Sequence, residues 1–120
     1  MMRSLIFALL TLVTAVDQVP QRSFFSRVFP SPGQLGLFIA NADGTDEHPL
    51  LSSADLDYDA AWSADGAWIA LTSERNGSAD IYRVHPDGSG LERLTDSPAY
   101  DDQAAFSPDG RQIVFVTTRA

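Results

Sequence analysis

The sequence predicts an all-β fold of repeating antiparallel hairpins, and three observations predict it. Asp-Gly occurs at Asp43-Gly44, Asp65-Gly66, Asp87-Gly88 and Asp109-Gly110, each 22 residues from the next. Apolar and polar residues alternate between these points, as in half-buried strands. Sliding the chain by 44 residues lays 37–76 on 81–120 without a gap, with 12 identities in 40 positions. Among the matched pairs are Leu50/Leu94, Asp57/Asp101, Ala61/Ala105, Ser63/Ser107, Ile69/Ile113 and Arg75/Arg119. A period in the forties made only of strands is the length of one four-stranded propeller blade.

In chain order, Arg3 precedes an apolar run from Leu5 to Val16 that ends at Asp17. Such a run is too short to span a bilayer and has the build of a signal-peptide core, with cleavage expected after Ala15. An uncleaved anchor or a buried first helix is the alternative. Residues 16–34 read as a connector, because Pro20, Pro30 and Pro32 oppose a helix or a central strand. Its Phe24, Phe25, Val28 and Phe29 are too apolar for a free linker and are expected to pack on the first sheet.

Eight strands follow, at Leu35–Ala40, His48–Leu51, Ala60–Ser63, Trp68–Ser73, Asp80–His85, Glu92–Thr95, Ala104–Ser107 and Gln112–Thr117. Two kinds of turn alternate between them. One is Ser-x-Asp-Gly, at Ser63–Gly66 and Ser107–Gly110; the other is Asp-Gly-Thr or Asp-Gly-Ser, at Asp43 and Asp87. In both, glycine supplies the positive φ and the aspartate caps the turn through its neighbours' N–H groups.

The stretches Ala61-Trp62-Ser63-Ala64-Asp65-Gly66-Ala67-Trp68-Ile69-Ala70-Leu71 and Ala105-Phe106-Ser107-Pro108-Asp109-Gly110-Arg111-Gln112-Ile113-Val114-Phe115 resemble the TolB-type propeller repeat. The partner hairpin of that family is matched by Asp80-Ile81-Tyr82, Asp87-Gly88 and Leu94-Thr95. Departures are Ala60 and Ala104, where the family prefers proline, and Ala64 in the first Ser-Pro-Asp-Gly. The resemblance extends over residues 35–120 and implies a partial β-propeller of four-stranded blades. About two blades' worth of a six-bladed ring is expected: the outer half of one blade (Leu35–Leu51), one whole blade (Ala60–Thr95) and the inner half of a third (Ala104–Thr117). Because repeat folds bury their core between neighbours, the missing blades are expected from a longer parent chain or from self-assembly.

Composition excludes several functions. Asp and Glu number 16 against 8 bases, every base an arginine, so the net charge of −8 repels phosphate backbones and no nucleic-acid partner is expected. Without cysteine there are no disulfides, thiol nucleophiles or cysteine-held metals. Neither G-x-S-x-G nor a zinc-binding histidine motif is present, and the two histidines, His48 and His85, are offset within the repeat. No catalytic residue, metal or cofactor is therefore expected in this segment.

The best candidate site is acidic. Asp57, Asp59, Asp101 and Asp102 are expected in equivalent loops around one mouth of the central channel. Converging carboxylates there could touch a ligand or Ca²⁺, but no complete calcium loop exists, and capping of backbone N–H groups is the simpler role for Asp57 and Asp101. Arg75 and Arg119, at equivalent positions, are expected to bridge adjacent blades. Trp62, Phe106, Tyr82 and Phe115 recur with the repeat and read as core, whereas Trp68 has Gln112 as its counterpart and reads as a surface aromatic.

The resemblance implies an exported scaffold, periplasmic or secreted, that binds a protein partner and makes no stable membrane span. Its alternative is the N-terminal propeller of a larger hydrolase similar to the prolyl oligopeptidases, with the catalytic domain elsewhere. A carbohydrate-binding propeller would need aromatics at the mouth, where only Tyr58 and Tyr100 are expected.

Overall fold

A computed structural model describes residues 35–52 and 55–120, together with the backbone of 22–28. The expected signal peptide, 1–15, lies outside the described residues. Among the described residues nine strands form three antiparallel sheets. The first sheet contains β1 (Arg22–Val28), β2 (Leu35–Asn41) and β3 (His48–Pro49), in that order. The second is β4 (Asp57–Trp62), β5 (Ile69–Ser73), β6 (Asp80–Val84) and β7 (Glu92–Arg93), a complete four-stranded meander. The third is β8 (Asp101–Phe106) and β9 (Ile113–Thr117).

Sheets pack face to face along the chain. One core, between the first two sheets, joins Leu37, Ile39 and Leu50 to Ile69, Leu71, Tyr82 and Val84. A second, between the second and third sheets, joins Ala70 and Ile81 to Ala104, with Phe106, Ile113 and Phe115 packed against them. Strand β5 is flanked on both edges and both faces, so all five of its residues are buried. Trp62, Phe106, Tyr82 and Phe115 all join these inter-sheet cores.

In all four Asp-Gly turns the aspartate Oδ1 accepts one hydroxyl and one backbone N–H. Ser63 Oγ donates to Asp65 Oδ1 (2.7 Å), which also accepts from Ala67 N (3.0 Å); Ser107 and Arg111 do the same for Asp109. Thr45 and Ser89 bind Asp43 and Asp87 through both backbone and hydroxyl. These bonds hold the four exposed carboxyls below their ordinary range. Gly88 also sits tight against the first sheet: a Cβ there would lie 2.8 Å from the Leu50 carbonyl oxygen. Glycine is needed at that turn for its φ of 84° and for the close approach of two sheets.

Three differences from the sequence-based expectation stand out. Strand β1 runs inside the segment read as a connector, pairing with β2 from Arg22↔Asn41 to Val28↔Leu35. Pro20, Pro30 and Pro32 all flank this strand rather than interrupt it, and it lies on a sheet edge. The outer strands β3 and β7 shorten to two residues each. Finally, β4 and β8 begin three residues earlier than expected, at Asp57 and Asp101. Each carries a break in register, between Tyr58 and Ala61 and between Asp102 and Ala105, which hides the alternation in the sequence.

Candidate functional site on the first strands of adjacent blades

The register fixes which end of each sheet carries the acids. Asp57 pairs with Ser73, and Ser73 with Asp80, so these residues stand at the end opposite the Asp-Gly turns. The four acidic candidates then separate into two pairs with different roles.

Asp57 and Asp101 are the first residues of their strands and are buried, not exposed in loops. Arg75 Nη2 donates to both carboxylate oxygens of Asp57, at 2.9 and 3.1 Å, and its Nε donates to Ser73 Oγ. One repeat later, Arg119 pairs with Asp101 and reaches Ser97 Oγ at 3.2 Å. These ion pairs join two strands of one sheet. For Arg75 the expected bridging between blades is thus corrected: the arginine just past the second strand faces the carboxylate heading the first, because the hairpin brings those ends together, and Arg119 makes the same pair within the third sheet. Through Ser97, in the connection between sheets, Arg119 also reaches beyond its own sheet. A third pair, Arg93 with Asp80 and Asp96, has no counterpart in the other copies and left no repeat signal.

Asp59 and Asp102 remain outside these arginine pairs. Asp59 is exposed and left-handed, with φ of 52°, at the bulge of β4; its repeat counterpart Gln103 has φ of 55° at the bulge of β8. Strands β4 and β8 pack side by side. Burial pushes the Asp59 carboxyl up, and the Asp102 carboxylate of the neighbouring strand pushes it further. Beside them Tyr58 donates to Glu74 Oε1 at 2.9 Å, and desolvation, that hydrogen bond and the surrounding acids raise its pKa. Glu74 was not foreseen: its counterpart in the repeat is Thr118, so only the fold brings it here. The result is a patch of negative potential contributed by two blades.

The remaining candidates lie elsewhere. Trp68 is half-buried, stacked on His85 at 3.8 Å and covered by the Arg83 guanidinium at 4.1 Å. His85 Nδ1 faces the Ala67 carbonyl, and His48 Nδ1 the Asp46 carbonyl, each at hydrogen-bond distance. Tyr100 is exposed. Among the described residues no three His, Asp or Glu side chains stand close enough to hold a metal ion.

A left-handed backbone at a residue other than glycine is strained by roughly 1–2 kcal/mol, less for aspartate. Gln103→Gly should therefore stabilise the protein by about 0.5–1 kcal/mol after the entropy cost of glycine, and Asp59→Gly by less. Urea titration of the two variants is the check. Loss of stability at Gln103 would show that the bulge does not hold its positive φ in solution.

Packed antiparallel sheets, one of them a complete four-stranded meander, in a chain that repeats every 44 residues and sets β4 beside β8, define a β-propeller segment. The family described as the TolB beta propeller domain matches residues 15–120, and the chain belongs to it. An uncharacterized protein of Agrobacterium fabrum is 49% identical over 57 residues, 47% of this chain and 19% of its own length. The Tol-Pal system protein TolB of Francisella tularensis is 29% identical over 84 residues, 69% of this chain and 19% of its own. A solved TolB-type structure from Agrobacterium tumefaciens superposes with a TM-score of 0.68 at 32% identity, covering 78% of this chain and 34% of that one. The chain spans about a fifth of the length of these curated relatives.

Proposed function

We propose that this chain is part of an exported, non-catalytic propeller scaffold that binds a protein partner through the patch formed by Asp59, Asp102 and Tyr58–Glu74. The observation that carries this reading is the division of labour among the acids. Asp57 and Asp101 are buried and neutralised by arginine, whereas Asp59 and Asp102 approach each other without such a partner among the described residues. Like charges brought together cost stability, so a fold that keeps them favours a cationic occupant. Relatives named for the Tol-Pal system support a partner from that system and a periplasmic setting. The arginine and apolar run at the N-terminus support export.

Calorimetric titration against the soluble domains of Tol-Pal system proteins from the same organism tests this reading. Asp59→Lys with Asp102→Lys should weaken binding by roughly tenfold or more, with little loss of fold because both groups are at least partly exposed. Binding unchanged by the double reversal would remove this patch as the site.

A further inference from the structure

Five turns in this chain set an aspartate or asparagine before a glycine: the four Asp-Gly turns and Asn76-Gly77, between β5 and β6. Their backbones are alike. In each, the glycine has a φ between 70° and 90°, and its N–H donates to the carbonyl three residues back at 2.8–3.0 Å. Their side chains differ. Each aspartate Oδ1 holds a hydroxyl and a backbone N–H, and these donors favour the ionised carboxylate. Asn76 has no such cap. Ser78 stands two residues on, where Thr45 and Ser89 stand in their turns, but turns its hydroxyl toward Asp80 and the Ser97 carbonyl. Among the described residues the exposed Asn76 side chain makes one hydrogen bond, Nδ2 donating to Tyr82 Oη at 2.5 Å.

We propose that Asn76-Gly77 is a site of spontaneous covalent modification, where the asparagine deamidates through a cyclic imide, and that the capped Asp-Gly turns resist the same ring closure. The Gly77 backbone nitrogen attacks Asn76 Cγ. The N–Cγ bond forms, the Cγ–Nδ2 bond breaks, and Nδ2 leaves as ammonia with the proton released by Gly77. Water then opens the imide at either carbonyl, leaving aspartate or isoaspartate. At an aspartate the leaving group is water, so the carboxylate must first take up a proton, and turning it onto the glycine nitrogen breaks both cap bonds. The Asn76 amide is already neutral and breaks a single bond to a phenol. Both kinds of turn must release the glycine N–H, a local opening of exposed backbone. The product adds one negative charge to a chain already at −8. That charge falls on the turn that begins at Glu74, and Tyr82 Oη, which accepts from the amide, can donate to the new carboxylate. The inference is independent of whether the acidic patch binds a partner.

The test follows heavy oxygen from water, because opening the imide leaves one solvent oxygen in the product at asparagine and aspartate alike. Folded protein and protein in guanidinium chloride are held at neutral pH in water enriched in heavy oxygen, then digested in ordinary water and sequenced by mass spectrometry. The unfolded sample gives the intrinsic rate at each site. Folding should slow the four aspartate sites by roughly tenfold or more, the loss of two hydrogen bonds apiece, and slow Asn76 by less. Ser89→Ala removes an exposed hydroxyl bound to Asp87; it should speed labelling of Asp87 several-fold in the folded protein and leave Asn76 unchanged. Folded protein that takes up no label at Asn76, or in which Asn76 is slowed as much as the aspartates, overturns the proposal. Labelling of Asp87 that is indifferent to the loss of the Ser89 hydroxyl overturns it too, since the cap would then not be what protects the turn.

Discussion

Leu71→Ala should destabilise the protein by about 3–4 kcal/mol, the largest effect expected of any single truncation here. Leu71 is fully buried in the middle of β5, pairs with Tyr82 on β6, and packs in the core shared with Leu37, Ile39 and Leu50 of the first sheet. Neighbours on both edges of β5 limit how far the sheet can collapse into the space left behind. The cost then includes a cavity term as well as lost transfer free energy. Guanidinium unfolding should show a lower midpoint at unchanged slope. Val114→Ala is the control: it removes apolar surface from a 71% exposed position and should change stability by no more than about 0.5 kcal/mol. Similar costs at the two positions would contradict the packing of the first sheet on the second.

The same contrast explains why the sheets were legible in the sequence. Residues facing a neighbouring blade must be apolar in every copy, so Ile69 and Ile113, or Leu71 and Phe115, recur 44 residues apart. The turns are equally readable, because a positive φ followed by a side-chain cap demands Asp-Gly. Strand β1 was not readable: it lies outside the matched repeat copies, no Asp-Gly turn marks it, and the prolines flanking it dominate a local reading. Nor were the starts of β4 and β8, since a bulge inserts a residue and breaks the period of two. At the acidic patch, residue types alone placed four carboxylates in one neighbourhood. They did not separate buried from exposed, because the bulge decides that. Its left-handed residues are Asp59 and Gln103, neither of them glycine.

Repetition held one further clue. Asp57 and Arg75 are 18 residues apart, as are Asp101 and Arg119, and a charge pair kept at constant spacing in both copies points to a contact within the unit. Each pair clamps the entry of the first strand to the exit of the second. That clamp leaves the bulge, and with it Asp59 or Gln103, at a fixed place beside the neighbouring blade. Each buried acid thus ties down the end of the strand that carries the bulge.

Asp101→Asn, which keeps the shape and removes the charge, should cost about 2–4 kcal/mol at neutral pH. Burial alone would push the Asp101 carboxyl up; the hydroxyls of Thr117 and Thr95 and the Arg119 guanidinium outweigh it and hold the group below its ordinary range. A carboxyl depressed in the folded state contributes stability that is complete above its unfolded value, near 4, and is lost as pH falls through the folded value. The gap between wild type and Asp101→Asn should accordingly be widest from about pH 5 upward and narrow as the pH drops below about 4. Comparing the two proteins by urea unfolding across that range cancels the titration of the other carboxylates, which both share. A gap that stays constant down to about pH 2 would mean that the ionised form of Asp101 contributes nothing. The clamp would then be a matter of shape alone, and Arg119→Met, which leaves the carboxylate buried beside an uncharged side chain of similar length, should be tolerated as well.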